Sequence, residues 1–560
     1  MQTKDKIAEA IKSAVEAAMK DGALKFSDAL PEIALEVPPK KDFGDFATNF
    51  AMQTAKIFRT SPRKIAEEIK SRITSALFDR IEIAGAGFMN FYLKPDVIYH
   101  ELKKIYDAGK NFGHLPCKNN VTIQIEYVSA NPTGLLHVGH GRGAAAGSAI
   151  VNIMRAAGYN VESEYYINDA GNQMDKLTKS VNVRYLQLHG QDVPLPEDCY
   201  RGEDIIDTTK RIIARHGDKF LSLPEEERLK ILGELAYRDK MLELQDDLEK
   251  FRVNFDFWFS ERTLHPEKIN AAIELLKANG GIYEKDGALW LASSKYGDDK
   301  DRVVVRENGE PTYLAADIAY HKNKFDRGFG ELINIWGADH HGYVARVKAA
   351  MTMLGYDADK LKIIFLQMVS LFRGGEAVKM SKRAGTAIPL RELMEEVGTD
   401  AARYFFLMRS TDSQLDFDLD LAKSQSADNP VYYIQYAHAR ICSIFRQAKE
   451  AGLIQLGIGN EELGINPKFS LMNSTAEIDL INKIFEYPDE IEKAAAEYAP
   501  QRIARYVYDL ASTFSAFYRD CRILGVEEDL AKARLALLKV TRHTIEHALN
   551  LLGVSAPERM

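Results

Sequence analysis

The sequence predicts an α/β protein: a doubly wound parallel sheet, preceded by a small α+β domain and followed by an all-α bundle. Three observations predict it. A buried strand, a glycine-bearing turn, a small-residue helix and a second strand follow one another between residues 121 and 167. Short alternating runs on either side of Gly85-Ala86-Gly87 come before that unit. From about residue 424 to the end only helical periodicity remains.

Taken in order, Ile7, Ile11, Val15 and Met19 recur at four-residue steps and predict a helix over residues 1–20. The extended run Ile33-Ala34-Leu35-Glu36-Val37 is stopped by Pro38-Pro39, and a second helix is expected to open at Asp45-Phe46-Ala47-Thr48. Ile81-Glu82-Ile83 and Met89-Asn90-Phe91-Tyr92-Leu93 read as strands, which sets the first domain at residues 1–112. Residues 121–128 form a buried strand that turns at Asn131-Pro132-Thr133-Gly134 into the helix beginning Gly141-Arg142-Gly143-Ala144. Residues 161–167 supply the next strand of a βαβ unit, whose parallel order implies a Rossmann-like sheet. Residues 172–285 read as a charged, helical insertion, and the sheet is expected to resume at residues 302–305, 332–336 and 362–365. The second domain is set at residues 113–423 and the helical bundle at residues 424–560.

A chain of 560 residues exceeds one ordinary core. An apolar content of 46% with 28% charged residues excludes a disordered chain and fits a soluble globular one. No apolar stretch has the length of a membrane span, and Met1 to Lys6 lack a signal-peptide core. Cys117, Cys199, Cys442 and Cys521 are scattered without Cys-x-x-Cys spacing, which argues against structural zinc and a disulfide framework. A cytoplasmic location is therefore expected. The formal charge of −8 does not exclude RNA, because a local basic face can supply phosphate contacts.

Two motifs carry the chemistry. His137-Val138-Gly139-His140 lies where the βα turn opens a helix, the place in such folds that receives phosphate. His137 and His140 share a helical face and can donate to phosphate oxygens, while Gly139 and Gly141 leave room for a nucleotide against the backbone. Lys379-Met380-Ser381-Lys382 lies between Gly374-Gly375 and Gly385-Thr386, and its lysines suit a polyphosphate whose charge grows in the transition state. Alone, the first motif is also a helix start with surface histidines, and the second a solvated basic loop. Their order around a dinucleotide-fold pattern favours ATP held from two sides. With no Gly-x-Ser-x-Gly or His-Glu-x-x-His, a carboxylate attacking the α-phosphate by positioning and electrostatics is the expected reaction. Magnesium is expected on the phosphates, with no metal ligands from the protein.

These residues resemble the class I aminoacyl-tRNA synthetases, and specifically the arginyl enzymes of the bacterial kind, over essentially the whole chain. The resemblance is carried also by Asp42-Phe43-Gly44-Asp45-Phe46-Ala47, by the run from Glu126 to Gly134, and by Tyr166-Ile167-Asn168-Asp169-Ala170-Gly171-Asn172-Gln173. It continues through Tyr313-Leu314-Ala315-Ala316-Asp317-Ile318-Ala319-Tyr320, Gly337-Ala338-Asp339-His340-His341-Gly342-Tyr343 and Tyr436-Ala437-His438-Ala439-Arg440. It implies formation of arginyl-adenylate from arginine and ATP, then transfer to the terminal ribose of cognate tRNA.

A guanidinium needs carboxylates. The resemblance assigns Tyr313, Asp317 and Glu261 to it, with Asn131 on the substrate's backbone groups and Glu126 in support. Glu126 also interrupts an apolar strand, so it needs a partner. Gly337, Asp339, His340, Met380 and Ser381 are assigned to the nucleotide side. Single-stranded RNA calls for stacking aromatics and basic groups. Tyr433, Tyr436, Tyr518, Arg522 and the terminal Met560 are the candidates in the bundle, with Asn49 in the N-terminal domain. The tyrosines are equally legible as bundle core. A monomer is the family expectation. The alternatives are a small-molecule nucleotidyltransferase, a noncatalytic synthetase-like RNA-binding protein, and a lysine-specific synthetase.

Overall fold

The computed structural model describes residues 2–38, 41–118, 121–378, 388–454 and 464–560. Helix α1 (Gln2–Lys20) buries Ile7, Ile11, Ala14, Val15 and Ala18 along one stripe and packs on α2 (Pro62–Arg72). Beside them β1 (Phe46–Thr48), β2 (Phe78–Ala84) and β3 (Phe88–Leu93) form an antiparallel sheet in the order β1-β3-β2. The helix expected to open at Asp45 begins instead at Phe50. Residues 46–48 pair with β3, and the Asp45 carboxylate accepts the Leu93 N–H at 2.7 Å, so pairing across the chain overrides the local pattern. Helix α3 (Pro95–Ala108) leads out of this domain.

The central sheet is parallel throughout. Its strands are β4 (Thr122–Glu126), β5 (Asn160–Ile167), β6 (Phe257–Ser260), β10 (Glu331–Gly337) and β11 (Leu361–Leu366), in the order β11-β10-β4-β5-β6. Strand order therefore reverses between β4 and β10. Helix α4 (Val138–Ala156) joins β4 to β5, and helices α5 (Asn172–Leu188), α6 (Glu203–His216) and α7 (Glu225–Lys250) fill the stretch before β6. Helix α8 (Glu267–Ala278) and the antiparallel strands β7 (Ile282–Lys285), β8 (Ala288–Leu291) and β9 (Arg302–Val305) follow. Next come α9 (Tyr313–Asp326), leading into β10, and α10 (Val344–Met353), leading into β11.

Two strands differ from expectation. The run at 302–305 is β9 of the antiparallel meander, not part of the parallel sheet, and of its valines only Val304 is fully buried. The third parallel strand is β6, inside the stretch expected to be mostly helical. It is a four-residue edge strand with Phe257 exposed, too short to carry a period.

Beyond β11, β12 (Val369–Arg373) pairs with β13 (Glu376–Ala377) and with β14 (Leu415–Asp418). Helices α11 (Leu390–Val397) and α12 (Thr399–Leu407) lie before β14. The chain ends in α13 (Pro430–Glu450), α14 (Thr475–Phe485), α15 (Tyr487–Ala496), α16 (Pro500–Asp520) and α17 (Glu528–Leu551). One apolar core runs from α1 through α4 and α12 into these helices, and α15 and α16 pack directly on α4. Among the described residues no helix is long and apolar enough to cross a membrane.

Candidate active site

In a doubly wound sheet the ligand crevice opens beyond the carboxyl ends of the two strands at which the order reverses. Here those strands are β4 and β10. Past β4 the chain turns through Val128 and Ser129, both at positive φ (68° and 43°), a conformation that a β-branched residue adopts only under constraint from its surroundings. Ser129 supplies that constraint in part: its hydroxyl donates to Glu126 Oε1 at 2.9 Å and accepts the Tyr166 N–H from β5 at 3.2 Å.

The histidine turn follows. His137 caps α4, its Nδ1 accepting the Gly139 N–H at 3.1 Å, and His140 Nδ1 accepts the His137 N–H at 3.3 Å. The rings stack with centroids 3.7 Å apart. With Nδ1 of each ring accepting a backbone proton, the proton of a neutral imidazole here lies on Nε2. Burial, reinforced by His137, pushes His140 down to about 3, so it is neutral at physiological pH. His140 is thus a neutral N–H donor at a helix N-terminus. The room expected at Gly141 is taken by protein: a Cβ there would lie 2.6 Å from Leu390 and 3.2 Å from Phe406. At Gly139 the nearest neighbour is the ring of His137 itself.

Lys379, Met380, Ser381 and Lys382 lie outside the described residues. The segments flanking them are tied to the histidine helix from both sides. Downstream, Val138 N–H donates to the Ile388 carbonyl at 3.1 Å and Leu390 N–H to the Leu136 carbonyl at 2.7 Å. Upstream, the buried Arg142 guanidinium of α4 donates to the carbonyls of Gln367 at 2.8 Å and Met368 at 3.4 Å, and it reaches the Ser410 carbonyl, further downstream, at 2.8 Å. Burial lowers the Arg142 pKa to about 10, with Asp412 opposing, which still leaves it charged. Sequence reading passed over Arg142; its signal was a charge among the small residues of a buried helix.

On the other side of the crevice, α9 carries Tyr313, which is half exposed, and Asp317 one turn further on. Asp317 accepts a hydrogen bond from the Tyr343 hydroxyl, beyond β10. Burial, with Glu261 and Glu126 adding repulsion, pushes Asp317 up to about 7 against the opposing influence of Tyr343 and Lys324. Glu261 is 5% exposed at the end of β6, 3.1 Å from His265 Nε2. Glu126 meets its partner: Oε2 accepts from the wholly buried Lys324 of α9 at 2.6 Å. Lys324 also donates to Asn334 Oδ1 at 2.8 Å. Asn334 Nδ2 donates in turn to His321 Nε2 at 2.8 Å, and His321 Nδ1 donates to the Asp317 carbonyl at 2.8 Å. Beside this chain, Glu164 is held by Arg327 and by Tyr320, each at 2.5 Å. Sequence reading missed Lys324, Asn334, His321 and Tyr343, although Asn334 interrupts an apolar strand just as Glu126 does.

Asn131 sits half-buried in the turn between β4 and α4, and Gly337, Asp339 and His340 follow β10, the last two exposed at the crevice rim. In the bundle, Tyr436 and Tyr518 are 42% and 40% exposed, and Arg440 lies over both rings, 4.7 and 4.9 Å from their centroids. Sequence reading left Arg440 out of the site. Tyr433 is half-buried, its hydroxyl donating to Ser515 at 3.0 Å, while Arg522 is exposed and donates to the Leu524 carbonyl. Met560 is exposed at the terminus, and Asn49 is half-buried just ahead of the helix that opens at Phe50.

Comparison with known proteins bears on the whole chain. Residues 102–437 match the family model described as tRNA synthetases class I (R), catalytic domain. Residues 2–93 match the arginyl tRNA synthetase N terminal domain, and residues 434–560 the DALR anticodon binding domain. An arginine–tRNA ligase of Carboxydothermus hydrogenoformans is 53% identical over 97% of both chains, and that of Bacillus subtilis 48% identical over 100% of this chain and 99% of its own. The crystal structure of a putative arginyl tRNA synthetase from Campylobacter jejuni superposes with a TM-score of 0.76 at 37% identity, covering 84% of this chain and 100% of that one. The chain belongs to the arginyl-tRNA synthetase family of class I tRNA synthetases.

Proposed function

We propose that this arginine–tRNA ligase holds arginine on the α9 side of the crevice and ATP on the α4 side, and joins them across the β4–β10 switch point. In this reading the guanidinium rests on Asp317 with Tyr313 and Glu261 beside it, and the amino acid's backbone groups lie near Asn131. The phosphates lie against His137 and His140, with Asp339 and His340 nearby and Lys379 and Lys382 as further donors to them. Magnesium comes complexed to ATP, as part of the substrate. A carboxylate oxygen of arginine attacks the α-phosphorus, the bond to the β-phosphate oxygen breaks, and pyrophosphate leaves. A ribose hydroxyl of the tRNA terminus then attacks the activated carbonyl, and AMP departs. The chain supplies no covalent nucleophile in this scheme; its donors stabilise charge that spreads over the phosphate oxygens. The anticodon is read by stacking on Tyr436 and Tyr518 with Arg440 between them. We further propose a monomer working in the cytoplasm.

The observation that carries this reading is Asp317, a carboxylate that accepts from Tyr343 and has no Lys or Arg hydrogen-bond partner among the described residues, beside Glu126 and Glu261 at the carboxyl ends of β4 and β6. A neutral isostere such as citrulline would leave that carboxylate desolvated and unpaired, enough for discrimination without editing. The test is ATP–pyrophosphate exchange with arginine, lysine or citrulline, each with and without tRNA. Exchange with arginine alone among the three is expected; exchange with lysine would move the assignment to another amino acid.

A further inference from the structure

The layer between the central sheet and α9 is polar where such layers are usually apolar. The register sets Asn334, Glu126 and Glu164 side by side on three adjacent strands, and α9 lays Tyr320 and Lys324 over them. Four carboxylates meet there: Glu126, Glu164, Glu261 and Asp317. Two have a built-in cation, Lys324 on Glu126 and Arg327 on Glu164. The remaining two, Glu261 and Asp317, have no Lys or Arg partner among the described residues.

We propose that Lys324 is a positioning residue that sets arginine specificity: its ammonium cancels Glu126 and, through Asn334 and His321, orients the turn that carries Asp317. The inference rests on the arginine site proposed above. Two features support it. The hydrogen bonds run in one direction, from the lysine ammonium to the Asn334 carbonyl oxygen, from the Asn334 amide to His321 Nε2, and from His321 Nδ1–H to the Asp317 backbone carbonyl. Only a neutral imidazole can accept at Nε2 and donate at Nδ1, and burial beside Lys324 holds His321 neutral, down to about 3. The second feature is charge. Asp317 faces Tyr343 beyond β10, Glu261 from β6, Glu126 from β4, Tyr166 from β5, and Lys324 from its own helix. Among these neighbours Lys324 is the one cation. Without it Glu126 would stand uncompensated beside Asp317, and Asp317 would resist ionisation further.

An incoming guanidinium then meets two carboxylates that lack a Lys or Arg partner among the described residues and a third already neutralised. A pocket with all three free would hold a proton more tightly and bind arginine only by releasing it. Lys324 thereby lets Asp317 ionise in the range where the enzyme works.

The test is steady-state aminoacylation by the full-length enzyme with tRNA, from pH 5.5 to 9, for Lys324→Met, Lys324→Arg and Glu126→Gln/Lys324→Met, with melting temperature measured separately. For Lys324→Met we expect the arginine KM to rise about thirtyfold or more, the size set by breaking a buried pair, while the ATP KM stays within about threefold. The acidic midpoint of kcat/KM for arginine should move up by about one pH unit. Lys324→Arg should keep the wild-type midpoint, and the double variant, which removes both charges, should return to it even where Lys324→Met folds too poorly to assay. Equal changes in arginine and ATP KM, or a lowered melting temperature with an unmoved midpoint in the double and single variants alike, would overturn the proposal. Absence of arginine-dependent exchange in the wild type would instead overturn the site reading on which it rests.

Discussion

The two faces of β4 do different work. Ile123, Ile125 and Tyr127 point to one side, where they join the apolar core with the alanines of α4. Packing there is close enough that a Cβ on Gly147 would come within 2.2 Å of the Tyr127 ring. Gln124 and Glu126 point to the other side, under α9, where the contacts are Lys324, Asn334 and the carboxylates around Asp317. One strand, by period-two alternation, separates the face that holds the domain together from the face that lies under the proposed arginine site. Substitutions on the first should cost stability and leave substrate preference alone; substitutions on the second should do the reverse.

The largest expected effect is on the polar face. Asp317→Asn keeps the shape and removes the charge, so kcat/KM for arginine should fall about a thousandfold, the scale of 3–5 kcal/mol for a desolvated charge pair. Its melting temperature should hold or rise, because the empty pocket no longer contains a buried carboxylate. A fall of less than tenfold would break the comparison. Arg142 sharpens it from the opposite side, as the polar exception on the apolar-face helix. Arg142→Lys cannot reach three carbonyls at once, and about a tenfold rise in the ATP KM is expected with the arginine KM little changed. Equal rises in both would make Arg142 a general support of the crevice. Gly147→Ala should have the smallest effect on catalysis: a loss of about 1–3 kcal/mol in stability from overpacking against Tyr127, read as a lower melting temperature, with both KM values near wild type. A changed arginine KM in that variant would show the two faces to be coupled.

The βαβ unit was legible in the sequence because its period is long and its turn is marked by glycine and proline; β4 and β5 fall within two residues of the expected places, and α4 opens three residues earlier than expected. The short runs were not. Residues 302–305 and 257–260 each span a single strand of four residues, where hydrophobicity cannot tell an edge of one sheet from an edge of another. Phe46 to Thr48 went to a strand because its partner, β3, lies more than forty residues on. The histidine turn stands out in the sequence because its residues are contiguous, whereas Asp317 looks like a helix surface charge and is assigned only through the resemblance to the arginyl enzymes. Lys324 could not, since it reaches Glu126 across 198 residues and looks like any other lysine of a charged helix end. What could be read was the need: an unpaired carboxylate in an apolar strand requires a cation from somewhere, and Asn334 poses the same demand.

The central claim is that arginine is taken by a carboxylate that is half protonated near neutrality in the empty enzyme. A group raised to about 7 is about nine-tenths protonated at pH 6 and almost wholly ionised by pH 8.5. A guanidinium favours the ionised form, so binding at pH 6 must expel the proton and binding at pH 8.5 need not. The most direct measurement is calorimetric titration of arginine into the enzyme at both pH values, in buffers of different ionisation enthalpy. Release of about 0.9 proton per arginine at pH 6, falling toward zero at pH 8.5, is the predicted result. No proton release at pH 6, or uptake, would contradict it.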